Sequence, residues 1–153
     1  MKLLLDTTYL LPAIGISIKE IPTNTILELM KQGNQIFISE ISIFELTAIG
    51  AKHVLSGLLP AERVTKGIRA IVYDETIEAI PIHETRILLT AFKLRRLLVD
   101  FMDCLILSSA MNQCDTLITE DSDIQKLKES EKFKELLTTV NPNFQIKALT
   151  RTT

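Results

Sequence analysis

The chain has 153 residues, 46% hydrophobic and 24% charged, with a formal net charge of −2. That length supplies a full core for one ordinary domain, and that balance excludes a disordered chain. The slight negative charge excludes a global basic field of the kind that coats nucleic acid, but not an enzyme whose metal carries the positive charge. Aromatics are 5% and Trp is absent, so Ile, Leu and Val must build the core.

Lys2 to Asp6 is a short apolar run that reads as a buried strand. The apolar opening resembles the start of a signal peptide, but Asp6 interrupts it and no small-residue cleavage site follows. No apolar run approaches the roughly 20 residues of a membrane span, so a cytoplasmic protein is expected. Thr8 to Gly15 suggests a helix with Pro12 inside it, and a second helix starts near Pro22 and stops at Gly33. Gln35 to Ile38 reads as a strand, and Ser39 can cap a long helix running towards Gly57. Pro60 opens a helix through about Val72, and Ile77 to Ile82 is a strand interrupted by Pro81. A helix follows from His83 or Glu84 to about Leu98, and another, capped by Asp100, runs to about Gln113. Thr116 to Thr119 is a strand, with a short helix from Ser122 and a second near Lys132 to Leu137. Asn141-Pro142-Asn143 is a turn before a last strand, Phe144 to Leu149. Strands alternating with helices predict a single α/β domain over 1–153, a parallel β-sheet flanked by α-helices in three layers. Cys104 and Cys114 read as buried free thiols, and His53 and His83 lack metal-ligand spacing.

Four acids, Asp6, Glu45, Asp103 and Asp121, stand against aliphatic runs with no Lys or Arg within three residues. An ionised carboxylate beside apolar surface is costly unless it is paired or binds a metal. Each also has an ordinary explanation. Asp6 and Asp121 can be helix N-caps, and Asp103 can be the third residue of a helix that Asp100 caps. Glu45 shares a stripe with Ile41, Ala48 and Ile49 that looks core-facing, where an unpaired Glu is rare. Periodicity favours Asp103 over Asp100 as the inward acid. Two strand-end Asp residues would reach the rim where open parallel sheets bind ligands. Jointly, the four acids suggest a site for one or two hard divalent cations, Mg²⁺ or Mn²⁺. Such ions activate water and stabilise the leaving oxygen of a phosphodiester.

In four segments the chain resembles the PIN-domain nucleases. These are Leu4-Leu5-Asp6-Thr7-Thr8-Tyr9-Leu10, Ser42-Ile43-Phe44-Glu45-Leu46, the run from Asp103 to Ala110, and the run from Leu117 to Ile124. They occur in the family's order and span nearly the whole chain. The resemblance implies a metal-dependent endoribonuclease, with Asp6, Glu45, Asp103 and Asp121 as the catalytic, metal-binding acids. It implies that Thr8 and Thr119, polar positions beside the acids, hold a water carried by the metal. A small domain of this kind is most similar to the toxin of VapBC-type toxin–antitoxin pairs, which implies a small antitoxin protein as partner. Glu120 departs from the pattern, adding negative charge where a basic or neutral residue is more usual, and Asp123 competes with Asp121 for the fourth role.

Arg63, Lys66 and Arg69 on one helix, and Lys93, Arg95 and Arg96 before Asp103, are weak candidates for RNA contacts; a solvated helix face is the commoner explanation for both groups. Apolar residues on the middle helices (Leu55, Leu58, Leu59, Val64, Ile68, Ile71 and Val72) exceed what one small sheet covers, which suggests a homodimer. Two other enzyme classes fit less well. A haloacid-dehalogenase phosphatase needs an acid where Thr8 stands, and a phosphoreceiver domain needs a phospho-acceptor Asp after a central strand and a Lys after a later one. A non-catalytic or RNA-processing PIN-domain protein acting as an RNA- or protein-binding module is the alternative, against which the presence of all four acids argues.

Overall fold

A computed structural model describes residues 1–150. Five strands, β1 Lys2–Leu5, β2 Gln35–Ser39, β3 Ile77–Ile80, β4 Thr116–Ile118 and β5 Gln145–Lys147, form one parallel sheet in the order β3-β2-β1-β4-β5. Around it pack α1 Thr25–Lys31, α2 Glu40–Leu55, α3 Ala61–Val72, α4 Thr85–Leu94, α5 Phe101–Gln113, α6 Ser122–Lys126 and α7 Glu131–Val140. The expected three-layer arrangement follows from alternation along the strands. Leu4, Phe37, Leu117 and Ile146 face the layer of α4, α5 and α7, where Ile87, Ile106 and Phe133 are buried. Leu3, Leu5 and Ile36 face the opposite layer with Tyr9 and Leu29, and Ile38 joins Leu46, Val64 and Ile71 of α2 and α3.

Most boundaries follow local chemistry. Ser39 caps α2 by accepting the Ile41 N–H at 3.3 Å, and Asp100 caps α5 by accepting the Met102 N–H at 2.9 Å. β3 ends at Ile80, before Pro81, and α4 ends at Leu94, short of the expected Leu98. The expected helix from Thr8 to Gly15 is instead a 3-10 helix, Thr7–Ile14, with Pro12 inside it and Gly15 at φ 98 ending it. Pro12 has no N–H for an α-type bond and its ring crowds the carbonyl four residues back, which favours the tighter winding. Cys104 and Cys114 are buried and free, as expected. No described helix is long and apolar enough to cross a membrane.

The apolar surplus on the middle helices is smaller than expected. Val64 and Ile71 are core, and Leu59 and Ile68 pack against it, because α3 lies on the Thr7–Ile14 segment. Leu55, Leu58 and Val72 remain exposed. A second exposed group joins them: Leu89, Phe92, Val99, Phe101 and Met102 around α4 and α5, with Phe92 stacked on Phe101 at 6.0 Å between centroids.

Candidate active site

β1 and β4 are neighbours, yet the chain leaves β1 towards β2 and β3 before returning to β4. That reversal opens a crevice beyond the C-terminal ends of the two strands. Asp6 follows β1, and Thr119 to Asp121 follow β4. Glu45 reaches the crevice from the second turn of α2, and Asp100 and Asp103 reach it from the start of α5. The result is a cleft of about 350 Å³ lined by Asp6, Thr7, Thr8, Glu45, Asp100, Asp103, Glu120 and Asp121, with Leu11 and Ile49 as apolar wall. The four acids expected from the sequence therefore come together, and Asp100 and Glu120 join them.

The ordinary readings of Asp6 and Asp121 hold as well. Asp6 accepts the Thr7 N–H at 2.7 Å, and Asp121 accepts the Ile124 N–H at 3.0 Å. A carboxylate that caps a helix can still line the cleft. Asp6 is buried, and its second oxygen accepts the Thr119 hydroxyl at 2.5 Å. Thr119, fully buried, also accepts the Asp121 N–H at 3.1 Å. It thereby braces Asp6 against Asp121. Thr8 lines the cleft. Thr7, which the sequence reading passed over, donates its hydroxyl to Glu45 at 2.8 Å and so ties α2 to the end of β1. Its position between Asp6 and Thr8 was the available signal.

Burial raises the Asp103 carboxyl to about 7, helped by repulsion from Asp100, Asp121, Asp6 and Glu45. Burial likewise raises Asp6, against the lowering hydrogen bonds from Thr119 and Thr7. Glu45 is raised by burial and by Asp6 and Asp100, with Thr7 opposing. Neither ion pair found among the described residues, Lys31–Glu28 or Lys134–Glu131, involves a cleft carboxylate. A donor set of carboxylate and hydroxyl oxygens carrying uncompensated negative charge suits a hard divalent cation. Among the described residues no three His, Cys, Asp or Glu side chains stand ready to hold an ion together. A cation held here would offset the repulsion among these carboxylates.

The remaining candidates lie elsewhere. Asp123 is exposed in the first turn of α6 and does not line the cleft. The Arg63 guanidinium, exposed outside the cleft lining, donates to the carbonyl oxygens of Ala13 at 2.6 Å and Pro12 at 3.4 Å. Lys66 and Arg69 line a separate surface depression with Tyr73, over whose ring Arg69 sits. Arg95 donates to the Leu98 carbonyl at 3.3 Å, and Arg96 is exposed outside the cleft lining.

The family model of the PIN domain matches residues 3–130, and the chain belongs to that family. Solved structures similar to it include the following two. VapBC2 from Rickettsia felis, bound to a DNA fragment from its promoter, aligns over 97% of this chain and 98% of its own at 21% identity and a TM-score of 0.61. A toxin–antitoxin complex from Klebsiella pneumoniae aligns over 84% and 92% at 21% identity and a TM-score of 0.54. Among curated proteins none matches the chain by sequence.

Proposed function

We propose that this PIN-domain chain is a divalent-metal-dependent endoribonuclease that hydrolyses RNA phosphodiester bonds, acting in the cytoplasm as the toxin of a VapBC-type pair. One observation carries the reading: Asp6, Glu45, Asp103 and Asp121 line a single cleft at the sheet's switch point with no basic side chain among its lining residues. The toxin assignment is supported by the similarity to two toxin–antitoxin complexes, and it brings RNA, a small antitoxin protein and a second copy of the chain as expected partners.

Asp6, Glu45, Asp103 and Asp121 would hold Mg²⁺ or Mn²⁺. When bound, such an ion lowers the pKa of a water and stabilises charge at the scissile phosphate. The protein's own contribution is orientation. Thr119 and the Thr7 N–H fix both oxygens of Asp6, and the Thr7 hydroxyl fixes one oxygen of Glu45. Burial and its acidic neighbours raise the Asp103 carboxyl in the metal-free protein, so it would have to give up a proton to hold the ion. The walls of Leu11 and Ile49 reduce water around the reacting phosphate and strengthen its electrostatic contacts.

Asp6→Asn and Asp103→Asn should each lower RNA cleavage by roughly 100-fold or more while the protein stays folded, since each removes charge aimed at the reacting centre. Cleavage of a labelled RNA in Mn²⁺ checks this, with circular dichroism as the folding control. A variant, purified free of contaminating nuclease, that cuts as fast as the parent would overturn the assignment of these acids, and a parent that cuts no RNA would return the chain to the binding-module reading.

A further inference from the structure

Thr119, Glu120 and Asp121 form the short loop between β4 and α6, and two of the three are tied to the cleft acids. Thr119 braces Asp6, and Asp121 faces the cleft while capping α6. Glu120 lies between them, and its carboxylate is already engaged. One oxygen accepts the Tyr9 hydroxyl and the Leu149 N–H, the latter at 3.0 Å. The other accepts the Thr150 hydroxyl. Tyr9 is buried among Leu3, Leu5 and Ile118, so its hydroxyl needs a partner within the protein. The loop is also held at its base, where the Thr119 N–H donates to the Lys147 carbonyl at 2.9 Å. Glu120 thus joins Tyr9 with Leu149 and Thr150 at a loop that orients two cleft carboxylates.

We propose that Glu120 is a positioning residue of the carboxylate cleft: it fastens the 119–121 loop to Tyr9 and to the chain at Leu149 and Thr150, and so fixes Thr119 against Asp6 and Asp121 at the cleft rim. The charge that seemed an obstacle to RNA is directed into three donors. The purpose of the lock rests on the metal-dependent nuclease reading; its existence does not.

The test uses full-length Glu120→Gln, Tyr9→Phe and the double variant. Thr150→Val, at an exposed position, stands in for Tyr9→Phe should that variant fail to fold. In the metal-free protein, amide hydrogen exchange at Asp121 and Ile124 should accelerate by roughly tenfold in each single variant, and no further in the double, while Ile106 in α5 is unchanged. Mn²⁺ affinity by calorimetry should fall by roughly tenfold in both single variants alike, as for other residues that orient ligands. Unchanged exchange at Asp121 overturns the proposal, as does faster exchange with Mn²⁺ affinity intact. Weaker Mn²⁺ binding in Glu120→Gln but not in Tyr9→Phe also overturns it, because Glu120 would then be an ion donor itself. A parent protein that binds no Mn²⁺ would sink the nuclease reading instead, and hydrogen exchange would still decide whether the lock exists.

Discussion

Asp103 sits half-buried on the first turn of α5, and its carboxyl, raised from 3.8 to about 7, makes the metal-free protein sensitive to pH. The folded state holds that proton more tightly than the unfolded chain does. Its contribution to stability is therefore complete below about pH 4 and is lost as pH rises through 7. Asp103→Asn removes this slope and should be more stable than the parent at pH 8. The gain should be about 1 kcal/mol, small because solvent screens a half-exposed group. Urea unfolding of both proteins at pH 4 and pH 8 checks it, and parallel curves at the two pH values would contradict it. Protons and cations compete for the same oxygens, so Mn²⁺ affinity should climb through the same window. Two residue-scale features were legible in the sequence, the acids themselves and the cap positions of Asp6 and Asp121. The roles of Thr7, Thr119 and Glu120 were not, because each depends on a partner 29 to 113 residues away.

The Thr7–Ile14 segment carries Thr7 and Thr8 into the cleft, and α3 holds it in place. Contact is closest at Gly67. A Cβ there would lie 2.1 Å from the Ala13 carbonyl oxygen, and Arg63 one turn earlier grips that same oxygen. Gly67→Ala should therefore destabilise by about 2 kcal/mol through forced separation of backbone from backbone. That exceeds the roughly 1 kcal/mol that Ala returns in helix propensity. Chemical denaturation measures the change, and a variant as stable as the parent would mean that α3 does not bear on this segment. The sequence located a helix at both places. It did not reveal the 3-10 winding or the tight crossing, since the cost of Pro12 depends on what packs around it. Arg63 shows the same limit: its spacing with Lys66 and Arg69 suggested one basic face, and the fold ties one of the three, still exposed, to the carbonyls of Pro12 and Ala13.

For the molecule as a whole, a cleft of repelling acids predicts stabilisation by its ion. Anything that binds only the native state adds RT ln(1 + [L]/Kd), about 2.7 kcal/mol at a hundredfold excess over Kd. Millimolar Mn²⁺ should raise the melting temperature by several degrees. Metal-free Asp121→Asn should be neutral or stabilised, because the amide oxygen can still cap α6 while the repulsion is gone. A melting temperature indifferent to Mn²⁺ would count against a shared ion site. The exposed apolar side chains, Leu55, Leu58 and Val72 together with the group around Phe92 and Phe101, lead to a homodimer as the expected solution state. Light scattering at micromolar concentration should give twice the 17.2 kDa chain mass, and a monomer there would refute it.

The sequence by itself determined the alternation of strands and helices, the parallel sheet and the four acids, because hydrophobic period and capping chemistry act over a few residues. Tertiary structure alone decided which acids meet. Glu45 on a stripe with Ile41 and Ile49 could have faced core or solvent, and Asp100 and Asp103 competed for one place. The strand order β3-β2-β1-β4-β5 brings Asp6 beside Asp121 and turns α2 and α5 towards them, so that Glu45, Asp100 and Asp103 all reach one cleft. Strand order arises from burying both faces of the sheet at once, a balance over the whole chain that no local pattern encodes.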